Sequence, residues 1–223
     1  PTVRLVEGIT RRIDWPANDL FLASAGGRPV GLLIGIEPNV RWRTYCDAII
    51  DAARQVGVGT LITLGAFLAD IPHTVDSPVA GSAGDPKEAA RLGLSATRYE
   101  GPTGVVGVLN DRAGRAELPS ISLWAAVPHY LPAGPNPKAA LALVRKLSQV
   151  LDVEVETDTL ARAATAWQAQ VTEMIEENEE LRSYVQRLEE SRGDGDELEI
   201  PSGEALAAEL ERFLRQRRED GEG

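Results

Sequence analysis

Apolar residues in the first 151 positions follow two periods, which predict alternating strands and helices. Short, nearly continuous apolar runs are typical of strands, and they occur at residues 20–23, 30–36, 60–64 and 120–127. Apolar residues three and four positions apart indicate helices at residues 41–56, 85–92, 103–116 and 137–151. This alternation favours an α/β fold with a mainly parallel central sheet flanked by helices. The run at 30–36 is so continuous that we expect that strand to be buried on both faces.

The pattern changes beyond residue 151. Between residues 160 and 188, apolar residues alternate four and three positions apart, and Asn178 occupies one core position of this heptad seam. Two interpretations remain open: a parallel coiled-coil dimer, or a helix that packs on its own domain or against a second helix at residues 204–217. We favour the second because it needs no association, and in both we expect Asn178 to lie in a buried seam. The sequence therefore predicts an α/β core domain at residues 1–151 and an acidic helical hairpin or coiled-coil extension at residues 152–223.

The charge of the chain is unevenly distributed. Residues 1–151 contain 15 basic and 13 acidic residues, whereas residues 152–223 contain 8 basic and 21 acidic residues. The extension therefore carries the net acidity of the protein, whose formal charge is −11. Because an acidic surface gains nothing from the counterion release that drives nucleic-acid binding, DNA and RNA are not expected partners.

The cysteine count and the hydropathy point to a cytoplasmic protein. A single cysteine, Cys46, excludes an internal disulfide bond and fits a reducing compartment. It lies on the apolar stripe of the helix at residues 41–56, which indicates a packed thiol. No apolar run approaches the roughly 20 residues that a membrane span requires, and no signal-peptide pattern is present.

Both histidines of the chain follow a proline at the end of an apolar run. His73 comes after the strand predicted at 60–64, and His129, next to Tyr130, comes after the strand predicted at 120–127. Because the carboxyl ends of parallel strands share one sheet edge, we expect the two side chains and the turn at Thr103, which precedes a helix, to lie in one pocket. Each histidine is a candidate acid or base, or else a hydrogen-bonded structural residue. Their spacing does not indicate a metal site.

A glycine-rich turn precedes the helix predicted at 103–116. Free backbone N–H groups at such a helix start can hold an anion, or Thr103 can be an ordinary N-cap. Beside the turn, Glu100 is a candidate partner for a histidine in acid/base chemistry. The candidate ligand-binding residues are Tyr99, Gly101, Pro102, Thr103, Gly104 and Tyr130. Neither a P-loop at residues 81–87 nor a nucleophile elbow is present, and no cofactor is indicated.

A series of short phrases occurs in a fixed order along the chain: Glu37-Pro38-Asn39, Leu64-Gly65-Ala66, Ile71-Pro72-His73-Thr74, Ser122-Leu123-Trp124 and Asn136-Pro137-Lys138-Ala139. This series resembles the proteasome assembly chaperone 2 family in its actinobacterial form. The resemblance implies an α/β fold with a mainly parallel sheet and a binding protein with protein partners or a homo-oligomer, without an established enzymatic activity. The alternative is an enzyme that acts on a small anionic or carboxylate ligand held between the Pro-His loops and the glycine turn.

The chain departs from the resembled family at both ends. Family members begin with a strand and a helix upstream of this segment, whereas this chain opens at Pro1. We therefore expect a fragment of a longer protein, in which a sheet strand lacks a neighbour and stability is lower than with the upstream segment. The C-terminal residues 219–223 lack the hydrophobic-Tyr-any-residue ending with which eukaryotic relatives engage proteasome rings, so docking by that tail is not expected.

Overall fold

The computed structural model describes residues 1–6, 10–94, 101–131 and 134–191. Within these ranges no helix is both long enough and apolar enough to cross a membrane. The strands are β1 (Thr2–Val6), β2 (Thr10–Asp14), β3 (Asn18–Ala25), β4 (Arg28–Gly35), β5 (Leu61–Ala69), β6 (Val79–Ala83) and β7 (Ser120–Pro128). The helices are α1 (Trp42–Gln55), α2 (Pro86–Arg91), α3 (Val105–Arg115), α4 (Pro137–Leu151), α5 (Asp158–Glu176) and α6 (Glu179–Ser191).

A three-stranded sheet in the order β5-β7-β6 forms the centre of the molecule. β5 and β7 run parallel over their whole length, and the shorter β6 is antiparallel to β7. On one face, Leu61 packs against a cluster from α1 and α3 that contains Cys46 and Leu109. On the other face, Ile121 and Leu123 pack with residues of α2 and α4. The predicted α/β class, with a central sheet between helices, is thereby confirmed.

Strand β6 was not predicted, because its sequence is rich in glycine and serine. Gly81 lies so close to its neighbours that a Cβ there would come 2.7 Å from Leu94 Cδ2 and 2.8 Å from Leu123 Cδ2. The glycine therefore allows β7 and the turn that follows α2 to approach the strand. The hydrophobic pattern predicts no element for residues 79–83, and they form a strand because their backbone pairs with β7.

The prediction that the strand at 30–36 is buried on both faces is wrong. It forms β4, which pairs with β3 in an antiparallel hairpin and is largely exposed. Gly26 and Gly27 form the two-residue turn, and their positive φ angles of 56° and 79° fit the tight turn of a hairpin. A hairpin cannot bury both of its faces without neighbouring layers, so its apolar side chains stay accessible.

Two further corrections concern the C-terminal helices. The seam is not one unbroken helix, because α5 ends at Glu176 and α6 begins at Glu179. Asn178 is exposed, and its Oδ1 accepts hydrogen bonds from the backbone N–H groups of Glu180 and Leu181, both at 3.1 Å. It is thus an N-cap residue of α6 and not a buried seam residue. α5 packs against α4, which fits the interpretation that this helix packs on its own domain. The second helix predicted at 204–217 lies outside the described residues.

Replacement of Asn178 by leucine is expected to lower the free energy of unfolding by about 1 kcal/mol, because the start of α6 loses its cap. The Asn178→Asp variant keeps an accepting oxygen and serves as the control. Urea denaturation of the three proteins measures the difference. A leucine variant as stable as the parent, with aspartate no better, would contradict the capping role.

Candidate functional site

His73 is buried in the loop between β5 and β6, with only 3% of its surface exposed. Its backbone N–H donates to the Tyr130 hydroxyl at 2.7 Å, and its ring Nδ1 lies 3.0 Å from the same oxygen. Its Nε2 lies 3.0 Å from Thr172 Oγ1 of α5. The imidazole therefore joins the two Pro-His loops to α5.

The hydrogen bonds around His73 determine its tautomer. Thr172 Oγ1 donates to the backbone carbonyl of Gln168 at 3.0 Å, so the same hydroxyl accepts the Nε2–H of His73. Nδ1 is then unprotonated and accepts the Tyr130 hydroxyl proton. Burial raises the pKa of Tyr130 to about 12, so that this proton is retained at neutral pH. Both ring nitrogens are satisfied when the imidazole is neutral.

A buried lysine completes this network. Lys138, on the first turn of α4, donates from Nζ to the His73 carbonyl at 2.8 Å and to Gln168 Oε1 at 2.6 Å. Burial lowers the pKa of Lys138, because the charged ammonium loses hydration. The lysine thus ties α4, α5 and the His73 loop together.

The second histidine lies on the other side of Tyr130. His129 Nδ1 is 2.9 Å from Asp70 Oδ1, and its Nε2 is 3.3 Å from the Tyr184 hydroxyl of α6. The Tyr130 ring lies 6.3 Å from the His73 ring and 5.8 Å from the His129 ring, between ring centroids. The structure therefore brings His73, His129 and Tyr130 together, but the depression beside them is lined by His73 and not by His129 or the Thr103 turn. The Asp70 carboxylate orients the His129 imidazole. The Tyr184 hydroxyl of α6 lies next to Nε2, the nitrogen that would otherwise face a substrate.

Helices α5 and α6 supply partners that the sequence analysis missed. Thr172, Gln168 and Tyr184 lie next to the positions of the heptad seam, whose periodicity directs attention to apolar residues only. Thr74 Oγ1 also donates to Glu189 Oε1 of α6 at 2.5 Å. These contacts join residues far apart in the sequence, so spacing alone gives no signal for them.

The glycine turn contacts a different part of the molecule. The backbone N–H of Val105, the first residue of α3, donates to Glu37 Oε1 at 3.2 Å, and the N-cap position is Gly104. The expectation that Thr103 is the N-cap is wrong, because no side chain of the turn caps the helix. A carboxylate of the chain itself thus lies at the helix start, where an anion was considered. Tyr99 and Glu100 lie outside the described residues.

A shallow depression of about 160 Å³ lies beside His73. Its lining residues are Ile71, Pro72, His73, Val75, Ser77, Pro128, Asn136, Lys138 and Trp167. This volume includes open solvent, and the depression encloses essentially no space of its own, so it is not a pocket for a small organic ligand. In the part of the chain that the structure describes, no three His, Cys, Asp or Glu side chains converge as a metal site requires.

The outer edge of β5 is a second candidate site, suited to a protein partner. The Leu61 N–H donates to Pro119 O, and the Ala69 carbonyl accepts from His129 N, so odd-numbered residues face β7. The backbone groups of Ile62, Leu64, Ala66 and Leu68 therefore point to the other side, where the described residues supply no paired strand. Leu64 and Leu68 are 46% and 58% exposed, and β5 carries no charge. Free edges of natural sheets are usually protected by charges, prolines or bulges, and β5 has no charged residue and no proline.

Acid is expected to weaken the coupling between α5 and the His73 loop. Burial lowers the pKa of His73, Glu189 offsets part of this effect, and Lys138 adds to it. The unfolded chain therefore binds a proton before the native chain does, and stability falls as the pH drops below about 6.5. Melting temperatures of the parent and of His73→Gln, measured between about pH 7.5 and about pH 5, test this. The parent is expected to lose more stability than the variant, and equal losses would contradict the assignment.

Comparison with known proteins gives several matches. Residues 1–175 match the PAC2 family. The chain is similar to a PAC2 family protein from Streptomyces avermitilis, with 42% identity, a TM-score of 0.72 and coverage of 83% of this chain and 79% of that chain. It is also similar to a proteasome-assembly chaperone homologue from Mycobacterium tuberculosis, with 46% identity, a TM-score of 0.74 and coverage of 83% and 79%.

More distant similarity is limited to the fold. The archaeal homolog of proteasome-assembly chaperone from Pyrococcus furiosus, PbaA, matches at 23% identity with a TM-score of 0.54 and coverage of 82% and 77%. Comparison with curated proteins gave no match.

Proposed function

Because the chain belongs to the PAC2 family, we propose that it is an assembly-chaperone-like protein that binds other polypeptide chains and does not catalyse a reaction. The similar Mycobacterium tuberculosis protein is described as a proteasome-assembly chaperone homologue, so proteasome subunits are the first partners to test. We further propose a cytoplasmic location, in keeping with the single buried thiol of Cys46. The division into a core at residues 1–151 and an extension at residues 152–223 also stays a proposal.

The outer edge of β5, with which no strand of the described residues pairs, is the observation that supports this proposal. A nine-residue strand with outward backbone groups and two exposed leucines offers hydrogen bonds and apolar contacts to an extended segment of another chain. Strand addition of this kind derives affinity from main-chain hydrogen bonds and specificity from alternate side chains. An extended segment of an incompletely assembled subunit has the shape and chemistry that this edge accepts.

The alternative, an enzyme for a small anionic or carboxylate ligand, has less support. Its candidate acid/base groups, His73 and His129, have their ring nitrogens within reach of Tyr130, Thr172, Asp70 and Tyr184. The helix start that would hold an anion carries Glu37. Only under this alternative do the Gly101–Gly104 turn, Tyr99 and Tyr130 remain candidate ligand residues and Glu100 a candidate acid/base partner.

Complex formation with purified proteasome α and β subunits from Mycobacterium tuberculosis tests the proposal, with size-exclusion chromatography and light scattering as the readout. We expect a complex of fixed stoichiometry with one type of subunit. The double variant Leu64→Lys, Leu68→Lys is expected to weaken the complex at least about 10-fold, because two charges would be buried against the added strand. Met174→Lys places the same charge on the exposed side of α5 and serves as the control.

Two outcomes would contradict the proposal. If neither subunit type binds the parent protein, the assembly role fails. If the double lysine variant binds as tightly as the parent and the Met174→Lys control, the β5 edge is not the binding surface.

A further inference from the structure

We propose that α6 is a hinged cover: by straightening at Asn178 it uncovers a groove that binds an amphipathic helix of a partner polypeptide. In the structure, α5 ends at Glu176 and α6 begins at Glu179. α6 lies across the loops that carry His73 and His129. The proposal concerns a surface other than the outer edge of β5 and does not depend on the function proposed above.

The break between α5 and α6 is not caused by residue types that end helices. Residues 158–191 contain neither glycine nor proline, and the apolar heptad pattern continues through the break. Glu177 keeps a right-handed helical backbone, with φ −71° and ψ −16°. The helical path changes at Asn178, whose side chain caps α6. The sequence therefore suits one continuous helix as well as the two helices that are observed.

The contacts that hold α6 against the loops are few. Val185 is the single buried side chain of α6, at 5% exposure, whereas α5 has three. The polar contacts to the loops include the Tyr184 hydroxyl, 3.3 Å from His129 Nε2, and Glu189 Oε1, which accepts from Thr74 at an exposed position. Elements with few buried apolar contacts open at a free energy below that of global unfolding. α6 is thus suited to leave the loops while the rest of the chain stays folded.

Straightening at Asn178 would expose an apolar groove. α6 covers a cluster of apolar side chains that come from the loop after β7 and from α5. The members of this cluster outside α6 are Tyr130, Leu131, Trp167, Val171 and Ile175. Contiguous exposed apolar surface of this kind is typical of interaction sites, so the open state is stabilised by another cover.

α6 itself shows which partner fits the groove. Its apolar residues Leu181, Val185 and Leu188 are four and three positions apart, as in helices that bind in apolar grooves. At the rim, the Thr74 hydroxyl is a donor, and Glu189 of α6 supplies the acceptor. We therefore expect a partner helix with the same apolar spacing and an acidic residue directly after the third apolar position.

Binding of a fluorescent peptide of residues 179–191 to the full chain tests the groove, with fluorescence anisotropy as the readout. The parent is expected to bind weakly, because its own α6 competes. Asn178→Leu removes the cap that favours the break and is expected to lower the apparent dissociation constant about fivefold, because the open fraction rises. Asn178→Asp keeps an accepting oxygen and is expected to stay within about twofold of the parent. A peptide with Val185→Asp is expected not to bind.

A distance measurement tests the hinge separately from the groove. Spin labels at Thr165 of α5 and Gln186 of α6, both exposed, would lie about 32 Å apart in a continuous helix and closer in the broken one. We expect a minor population near the longer distance in the parent and a larger one in Asn178→Leu.

Three outcomes would overturn the proposal. The first is a single short distance in both the parent and Asn178→Leu. The second is equal peptide affinity of Asn178→Leu and Asn178→Asp, or a Val185→Asp peptide that binds as tightly as the unchanged one. The third is dimerisation of the Asn178→Leu protein in sedimentation without peptide, which would assign the groove to a second copy of this chain.

Discussion

Tyr130→Phe is expected to lower the free energy of unfolding by about 2 to 3 kcal/mol, because one hydroxyl satisfies two buried groups of His73. Without that oxygen, the His73 backbone N–H loses its bond at 2.7 Å and Nδ1 loses its donor at 3.0 Å. The ring itself is kept, so the change in packing is small. Denaturant unfolding monitored by tryptophan fluorescence measures the loss.

Tyr45→Phe is the control for removal of a hydroxyl. Tyr45 donates to Asn18 Oδ1 at 2.9 Å at an exposed position, where water replaces the lost partner. We expect this control to change stability by no more than about 0.5 kcal/mol. If both variants were equally stable, the Tyr130 hydroxyl would not hold the His73 loop, and the network described here would have no energetic role.

Gly65→Ala is expected to destabilise the central sheet by about 2 kcal/mol. A Cβ at this position would lie 2.6 Å from Cε3 and Cζ3 of Trp124, the residue beside it on β7. The indole cannot withdraw freely, since its Nε1 donates to Ser122 Oγ at 2.8 Å. Either the ring or the β5 backbone must shift, and overpacking of this kind usually costs about 1 to 3 kcal/mol. Thermal and urea denaturation measure the effect.

The same substitution at Gly114 provides the opposite expectation. Gly114 lies in α3, and a Cβ there meets no atom within 4 Å. Alanine is the better helix former, so Gly114→Ala is expected to raise the free energy of unfolding by up to about 1 kcal/mol. A Gly65→Ala protein as stable as Gly114→Ala would show that the close approach of β5 to Trp124 does not restrict that position.

Local signals allowed several elements to be predicted from the sequence. Helix α4 has the bounds that its pattern indicates, because Asn136 caps it and Pro137 occupies its first turn. Asp85 caps α2 in the same way. The family resemblance is confirmed by the match over residues 1–175. Each of these predictions depends on neighbouring residues or on a series of short phrases, which a sequence displays directly.

Predictions that depended on distant neighbours were less successful. The run at 30–36 has the composition of a central strand, yet burial requires layers that β4 does not have. In the sequence, the heptad pattern continues through Asn178. In the structure, the Asn178 side chain caps the start of α6, and the helix is interrupted between α5 and α6. The convergence of the two histidines followed from fold class, but Thr172, Gln168 and Tyr184 lie in another segment and carry no motif.

Residue-resolved hydrogen exchange along β5, in the free protein and in its complex with a proteasome subunit, tests the central claim most directly. The amides of Ile62, Leu64, Ala66 and Leu68 face the open edge, whereas those of Thr63, Gly65 and Phe67 face β7. We expect the first group to exchange rapidly in the free protein and at least about 10-fold more slowly in the complex, while the second group stays slow in both. Unchanged exchange of the first group in a stable complex would contradict strand addition at β5.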